Sequence, residues 1–175
     1  AGGTPVDWFN DLPFVTKWLL VSSLGLSLCV FLGVISGNAM LFYAPWIVQK
    51  FQIWRLVTPF LFGGGFSFPY AITLYMLISH SRLYEVSPYN TGGGGTSADY
   101  LVMMLFGIVC MNLAMFFFSG AIMFKGLMMY VVYVWSRKAE GAQSGFFMFK
   151  FPALYLPWAL FAYDLITGHS VFDDL

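Results

Sequence analysis

Charged residues punctuate this chain so sharply that its elements can be read from the gaps between them. No Asp, Glu, Lys or Arg lies between Trp18 and Gln49, between Leu56 and Ser81, or between Tyr100 and Phe124. A helix needs about 20 apolar residues to cross a hydrocarbon core of about 30 Å, and it then satisfies its backbone groups internally, as lipid demands. The pattern predicts spans near residues 15–36, 66–84 and 100–118. A fourth runs from 121 to about 135, with Lys125 close to its start, and a fifth from 152 to about 167. The expected fold is an all-α, polytopic membrane bundle with at least five spans, forming one domain over residues 1–175.

The connection from 37 to 66 does not fit a water-soluble loop. It carries Leu41, Phe42, Tyr43, Trp46, Ile47, Phe51, Ile53, Trp54 and Phe60, broken by Pro45 and Pro59. Trp and Tyr favour the membrane–water interface. The segment reads as re-entrant or flat, with Lys50 and Arg55 at headgroup level.

Composition agrees: 59% of residues are hydrophobic and 9% charged, where soluble domains run near a quarter charged. The formal net charge is zero, which leaves no electrostatic footprint for nucleic acid. If spans alternate, Lys17, Arg82, Arg137, Lys138 and Lys150 fall on the side of the N-terminus, and Lys50, Arg55 and Lys125 on the other. Positive residues gather on the cytosolic side, so a cytosolic N-terminus is expected. The start at Ala1–Trp8 is acidic and aromatic, unlike a cleavable signal peptide.

Few residues look chemical. Cys29 and Cys110 lie in apolar runs and read as packing residues; no Cys/His cluster has metal-ligand spacing, and no cofactor is expected. Gly63-Gly64-Gly65 and Gly92–Gly95 lack the Lys-Ser/Thr of a phosphate loop and read as a close-packing turn and a flexible linker. His80 reads as an interfacial polar residue. Asp164 is roughly two to three turns into the fifth span and is expected to face the bundle or a wet cavity, since lipid exposure of a charge is expensive. Asn112 reads as interhelical glue.

Several short strings resemble one family, the derlins. Asp7-Trp8-Phe9 and Leu12-Pro13-Phe14-Val15-Thr16 are similar to the derlin N-terminus. The stretch from Phe51 to Thr58, with Trp54-Arg55 at its centre, resembles the family's Trp-Arg loop motif. Ser81-Arg82-Leu83-Tyr84-Glu85, Ala98-Asp99-Tyr100 and Tyr133-Val134-Trp135-Ser136-Arg137 resemble the next signatures, and Tyr155-Leu156-Pro157-Trp158 the entrance to the fifth span. They stand in family order along the whole chain. Two departures are a longer, glycine-rich linker between Glu85 and Ala98, and Leu175 as the last residue. In derlins a sixth span and a cytosolic tail follow that point.

The resemblance implies a rhomboid-like bundle. Rhomboid proteases pair a Ser on the fourth span with a His on the sixth, a nucleophile with its base in reach. Aligning the rhomboid Tyr-Val-Trp-like string on Tyr133-Val134-Trp135 puts the nucleophile position at Phe124 and the following glycine at Lys125. Ser119 lies more than a turn too early. The expectation is a pseudoprotease without catalytic residues. As functional motif residues the resemblance implies Trp54, Arg55, Asp99, Trp135, Ser136, Arg137, Pro157 and Trp158, with Asn112 and Asp164 as polar members of a groove. It further implies the endoplasmic reticulum membrane and a part in degrading misfolded proteins by retrotranslocation. Implied partners are membrane lipid, a membrane ubiquitin ligase, an AAA unfoldase, misfolded substrates and further copies of the chain. The alternative is a structural rhomboid-like subunit of a large membrane complex with no degradation role.

Overall fold

A computed structural model describes residues 5–86, 97–118, 123–138, 143–146, 149–152 and 155–167. Its helices are α1 Pro5–Asn10, α2 Phe14–Phe31, α3 Ala44–Lys50, α4 Thr58–Leu61, α5 Phe68–Val86, α6 Ser97–Phe118, α7 Phe124–Lys138 and α8 Leu156–Thr167. Helices α2, α5, α6, α7 and α8 stand where the five spans are expected. By length and apolar character, Phe14–Phe31 and Ser97–Phe117 suffice to cross a membrane. The other three are more polar or shorter.

Two boundaries differ from the charge pattern. The first span was expected to reach Ser36, but α2 ends at Phe31. Gly33 adopts the left-handed conformation with φ 72°. Its amide donates to the Val30 carbonyl at 3.0 Å and that of Val34 to Cys29 at 3.0 Å. This double bond pattern is the Schellman stop, which needs a residue free of a Cβ penalty. The fifth span was expected from Pro152, but Pro152 closes a hairpin. Strand β1 Gln143–Phe146 pairs antiparallel with β2 Phe149–Pro152, Gln143 opposite Pro152 and Phe146 opposite Phe149. Pro is tolerated at a strand end because its missing amide costs no ladder bond there. Helix α8 then starts at Leu156, with Pro157 in its first turn, where a helix does not need the amide.

Helix α7 is the centre of the bundle and packs against α4, α5, α6 and α8. Leu127, Val131 and Val132 are fully buried, as are Leu77 of α5, Tyr100 of α6 and Leu156 of α8. Helix α6 sits on α7 through Gly107: a Cβ there would collide with the Tyr130 ring, whose hydroxyl donates to the Met103 carbonyl at 3.0 Å. The outer face of α6 shows Val102, Phe106, Val109 and Phe117. A stripe of that size is a lipid-facing surface rather than a water-facing one.

Candidate functional site

The motif residues gather at the two ends of the bundle. At the first end, α2 and α6 begin while α5 and α7 finish. Pro13 precedes α2 and gives it no side-chain cap, so the first amides of the helix need partners from elsewhere. Glu85 supplies them. Its carboxylate accepts from the Val15 amide at 2.9 Å, the Thr16 amide at 2.8 Å and the Thr16 hydroxyl at 2.7 Å. A hydroxyl chain continues from Thr16 Oγ1 to Ser81 Oγ (2.9 Å) and from Ser81 to Tyr100 Oη (2.5 Å). Thr16, Ser81, Tyr100 and Glu85 are all buried. Glu85 stands in the last turn of α5, where the helix dipole disfavours an anion. The positive end of α2 reverses that.

Around this clasp lie the residues of the α7 signature. Trp135 meets the His80 ring edge-on, with centroids 4.8 Å apart. His80 is therefore buried rather than interfacial: α5 continues to Val86, and His80 Nδ1 lies 2.8 Å from the Met76 carbonyl. The Ser136 hydroxyl is buried and donates to the Tyr133 carbonyl at 2.7 Å, so it is spent on its own helix. Arg137 is exposed. Lys138 Nζ sits 4.3 Å from the Tyr84 ring centroid, a cation–π contact. Asp99 lies in the first turn of α6, where an acid suits the dipole.

The second end is built on Arg55, which turns into the protein. Arg55 is 2% exposed. Its Nε donates to Gln52 Oε1 at 2.6 Å, and its Nη1 donates to the carbonyls of Asn38 and Leu41 at 2.9 and 2.6 Å. Its guanidinium also lies 4.9 Å from the Trp46 ring centroid. Burial lowers its pKa from the usual value, yet guanidinium stays charged in proteins. Three acceptors and one ring are what make its burial tolerable. Lys50 covers Trp46 at 4.4 Å and keeps the outward position. Trp54 points outward and is exposed. The loop is tied to the bundle by Asn112, whose Nδ2 donates to Leu56 O at 3.0 Å and Ile108 O at 2.9 Å. Asn112 thus holds a loop, where a second helix was expected. The Met123 amide donates to Pro59 O at 3.0 Å, which fixes the entry to α7.

At the position aligned with the rhomboid nucleophile, Phe124 is buried. Its ring lies 5.6 Å from that of Tyr70 and fills the space beside Gly63, where a Cβ would come within 2.6 Å of it. Ser119, His169 and Gly92–Gly95 lie outside the described residues, as does the side chain of Asp164 on α8. On α8, Pro157 is buried and Trp158 exposed. Glu85 and Thr16 stand in the quoted strings without a role there; the clasp gives them one. The available signal was an acid in the last turn of an apolar helix, which asks for a partner.

Comparison with known proteins adds an identity to this geometry. The profile of the Der1-like family matches residues 12–175. A derlin-2 homologue of Dictyostelium discoideum is 33% identical over 177 residues, covering 97% of this chain and 68% of that protein. Human Derlin-1 is 31% identical over 173 residues, with 97% and 67% covered. Arabidopsis thaliana Derlin-1 is 30% identical over 178 residues, covering 98% of this chain and 64% of that protein. With its motifs clasped at both ends of a helical bundle and a family match over nearly its whole length, this chain belongs to the Der1-like (derlin) family.

Proposed function

We propose that the protein helps misfolded polypeptides leave the endoplasmic reticulum for cytosolic degradation, by physical means and without covalent catalysis. The observation that carries this reading is how little apolar length α7 and α8 offer between charged residues. Lys125 and Arg137 bracket the apolar part of α7, and twelve residue steps span about 18 Å, against about 30 Å of hydrocarbon. On α8, Asp164 ends the first apolar stretch eight residues after Leu156, about 12 Å, and Trp158 and Phe161 turn outward. Lipid beside such helices thins, at a cost of fractions of a kcal/mol per Å. A thinner, wetter region lowers the cost of bringing polar backbone through lipid. Asn112 and Asp164 are the proposed polar members of that route. A membrane ubiquitin ligase, an AAA unfoldase and further copies of the chain are the proposed partners.

Phe124 supports the non-catalytic part: a phenyl ring has no proton to give up and no lone pair with which to attack a carbonyl. In cells lacking their own derlins, this chain should shorten the half-life of a misfolded membrane substrate, and Ser119→Ala should do so equally. The purified protein should take no serine-directed fluorophosphonate. Labelling that vanished in Ser119→Ala would overturn the pseudoprotease reading. An unchanged substrate half-life with the wild type would favour the structural-subunit role instead.

A further inference from the structure

The loop over residues 37–57 is held together by one set of contacts and held down by another. Arg55 ties it internally, to Gln52, Asn38 and Leu41, and Thr58 Oγ1 closes its base on the Met40 carbonyl at 3.2 Å. Its seat on α6 is separate from the main core: Phe42, Ile47 and Met115 form a small buried cluster of their own, and Phe42 meets Phe116 edge-on at 5.5 Å. Asn112 adds a hydrogen bond from α6 to the loop, at Leu56 O. The acceptors of Arg55 all belong to the loop, so lifting the loop off α6 as a body keeps the guanidinium paired.

Asn112 itself is half used. Its Nδ2 donates to Leu56 O and Ile108 O. Turning the amide over would set Oδ1 against those two carbonyl oxygens, so the donor end is fixed. Oδ1 is buried and has no partner among the described residues, on a side chain that is 9% exposed. A buried acceptor left open is costly, and a native protein that keeps one asks for an explanation.

We infer that Asn112 is a binding point for the main chain of an extended polypeptide, with the loop as the lid over it. This deepens the function proposed above and rests on it. In an extended chain the N–H and C=O of one residue point to the same side, as in the hydrogen-bonded pairs of an antiparallel sheet. A carboxamide is the complement of that pair: Oδ1 accepts from the N–H while Nδ2 donates to the C=O. Leu56 O already holds the donor as a peptide carbonyl would, and an N–H is what the acceptor lacks. A polypeptide brings both groups. It therefore displaces Leu56 O and gains a bond that the closed loop does not make. A lipid ester or phosphate brings acceptors alone and leaves Oδ1 unpaired. Recognition of main chain is indifferent to sequence, which suits a protein that handles misfolded chains of many kinds.

Hydrogen-exchange mass spectrometry and a binding titration of the protein in lipid nanodiscs test this. The probe is a short valine- and threonine-rich peptide, compared with the same peptide N-methylated throughout, which keeps every carbonyl and loses every N–H. The unmodified peptide should bind the wild type and raise amide exchange over residues 52–57. The methylated peptide should bind about tenfold more weakly, as the loss of this hydrogen bonding implies. Asn112→Leu should bind the unmodified peptide no better than the wild type binds the methylated one, and its loop should exchange fast with or without peptide. Phe42→Ala loosens the lid and spares the amide, so it should bind the peptide more tightly than the wild type, because less opening remains to be done. The comparison of the two peptides on the wild type stands even where a variant fails to fold. Binding of neither peptide, or equal binding of both, which a water at Oδ1 alone would give, overturns the proposal. So does tight binding by a folded Asn112→Leu, or binding that leaves loop exchange unchanged; a folded Phe42→Ala that binds no tighter contradicts the lid. None of these readouts involves degradation: a chain that binds the peptide in this way yet leaves a misfolded substrate's half-life unchanged keeps the site and loses the function.

Discussion

Glu85 and Arg55 do the same kind of work from opposite ends of the bundle: each is a buried charge that satisfies backbone groups left open by a turn. For Glu85 the groups are the first amides of α2, and charge-assisted bonds of this sort contribute about 1.5–3 kcal/mol each. Glu85→Ala should lower the thermal midpoint in detergent more than Glu85→Gln, because glutamine keeps an acceptor while losing the charge. Equal midpoints for wild type and Glu85→Ala would contradict the capping role. For Arg55 the groups are two carbonyls, both reached by Nη1, and the Gln52 amide oxygen, reached by Nε of the same planar fork. A lysine offers a single point of charge and cannot match that geometry. Arg55→Lys should therefore open the loop over residues 37–66 to proteolysis nearly as fully as Arg55→Ala, while Trp54→Ala, at an exposed position, should leave it closed. The Trp-Arg pair was legible in the sequence, but its division of labour was not. Nothing local says which of two adjacent side chains finds acceptors 14 and 17 residues away. Glu85 was harder still, since its partners lie 69 and 70 positions upstream.

At the scale of elements, the three long gaps between charges located α2, α5 and α6, because the cost of a charge in lipid acts along a whole span at once. Helix ends obey local rules that a charge pattern does not register. Gly33 stops α2 by its left-handed backbone, and Pro152 belongs to a hairpin whose existence depends on pairing between β1 and β2. The contact between α6 and α7 is equally specific. Gly107 leaves room for the Tyr130 ring, so Gly107→Ala forces a shift of the kind that costs about 1–3 kcal/mol in a packed core. Tyr130→Phe should cost less, about 1 kcal/mol for one neutral hydrogen bond. Chemical unfolding in mixed micelles orders the two variants; a larger loss in Tyr130→Phe would contradict this packing.

At the scale of the whole molecule, the clasp at the start of α2 and the Arg55 loop lie at opposite ends of the bundle, and the excess of positive residues at the clasp end predicts that this end faces the cytosol. Arg137→Cys, at the clasp end, should react with a membrane-impermeant thiol reagent from the cytosolic side alone; reaction from the lumen would invert the topology. The proposed thinning of the bilayer falls on one side of the molecule. Helix α6 has 22 residues, an axial length of about 33 Å, whereas α8 meets Asp164 about 12 Å from its start at Leu156. Electron cryomicroscopy of the protein in a lipid nanodisc gives the phosphate-to-phosphate distance around its perimeter directly. That distance should be shorter beside α8, with Trp158 and Phe161 at the lipid, than beside the outer face of α6. A uniform thickness around the whole perimeter would contradict thinning by this protein.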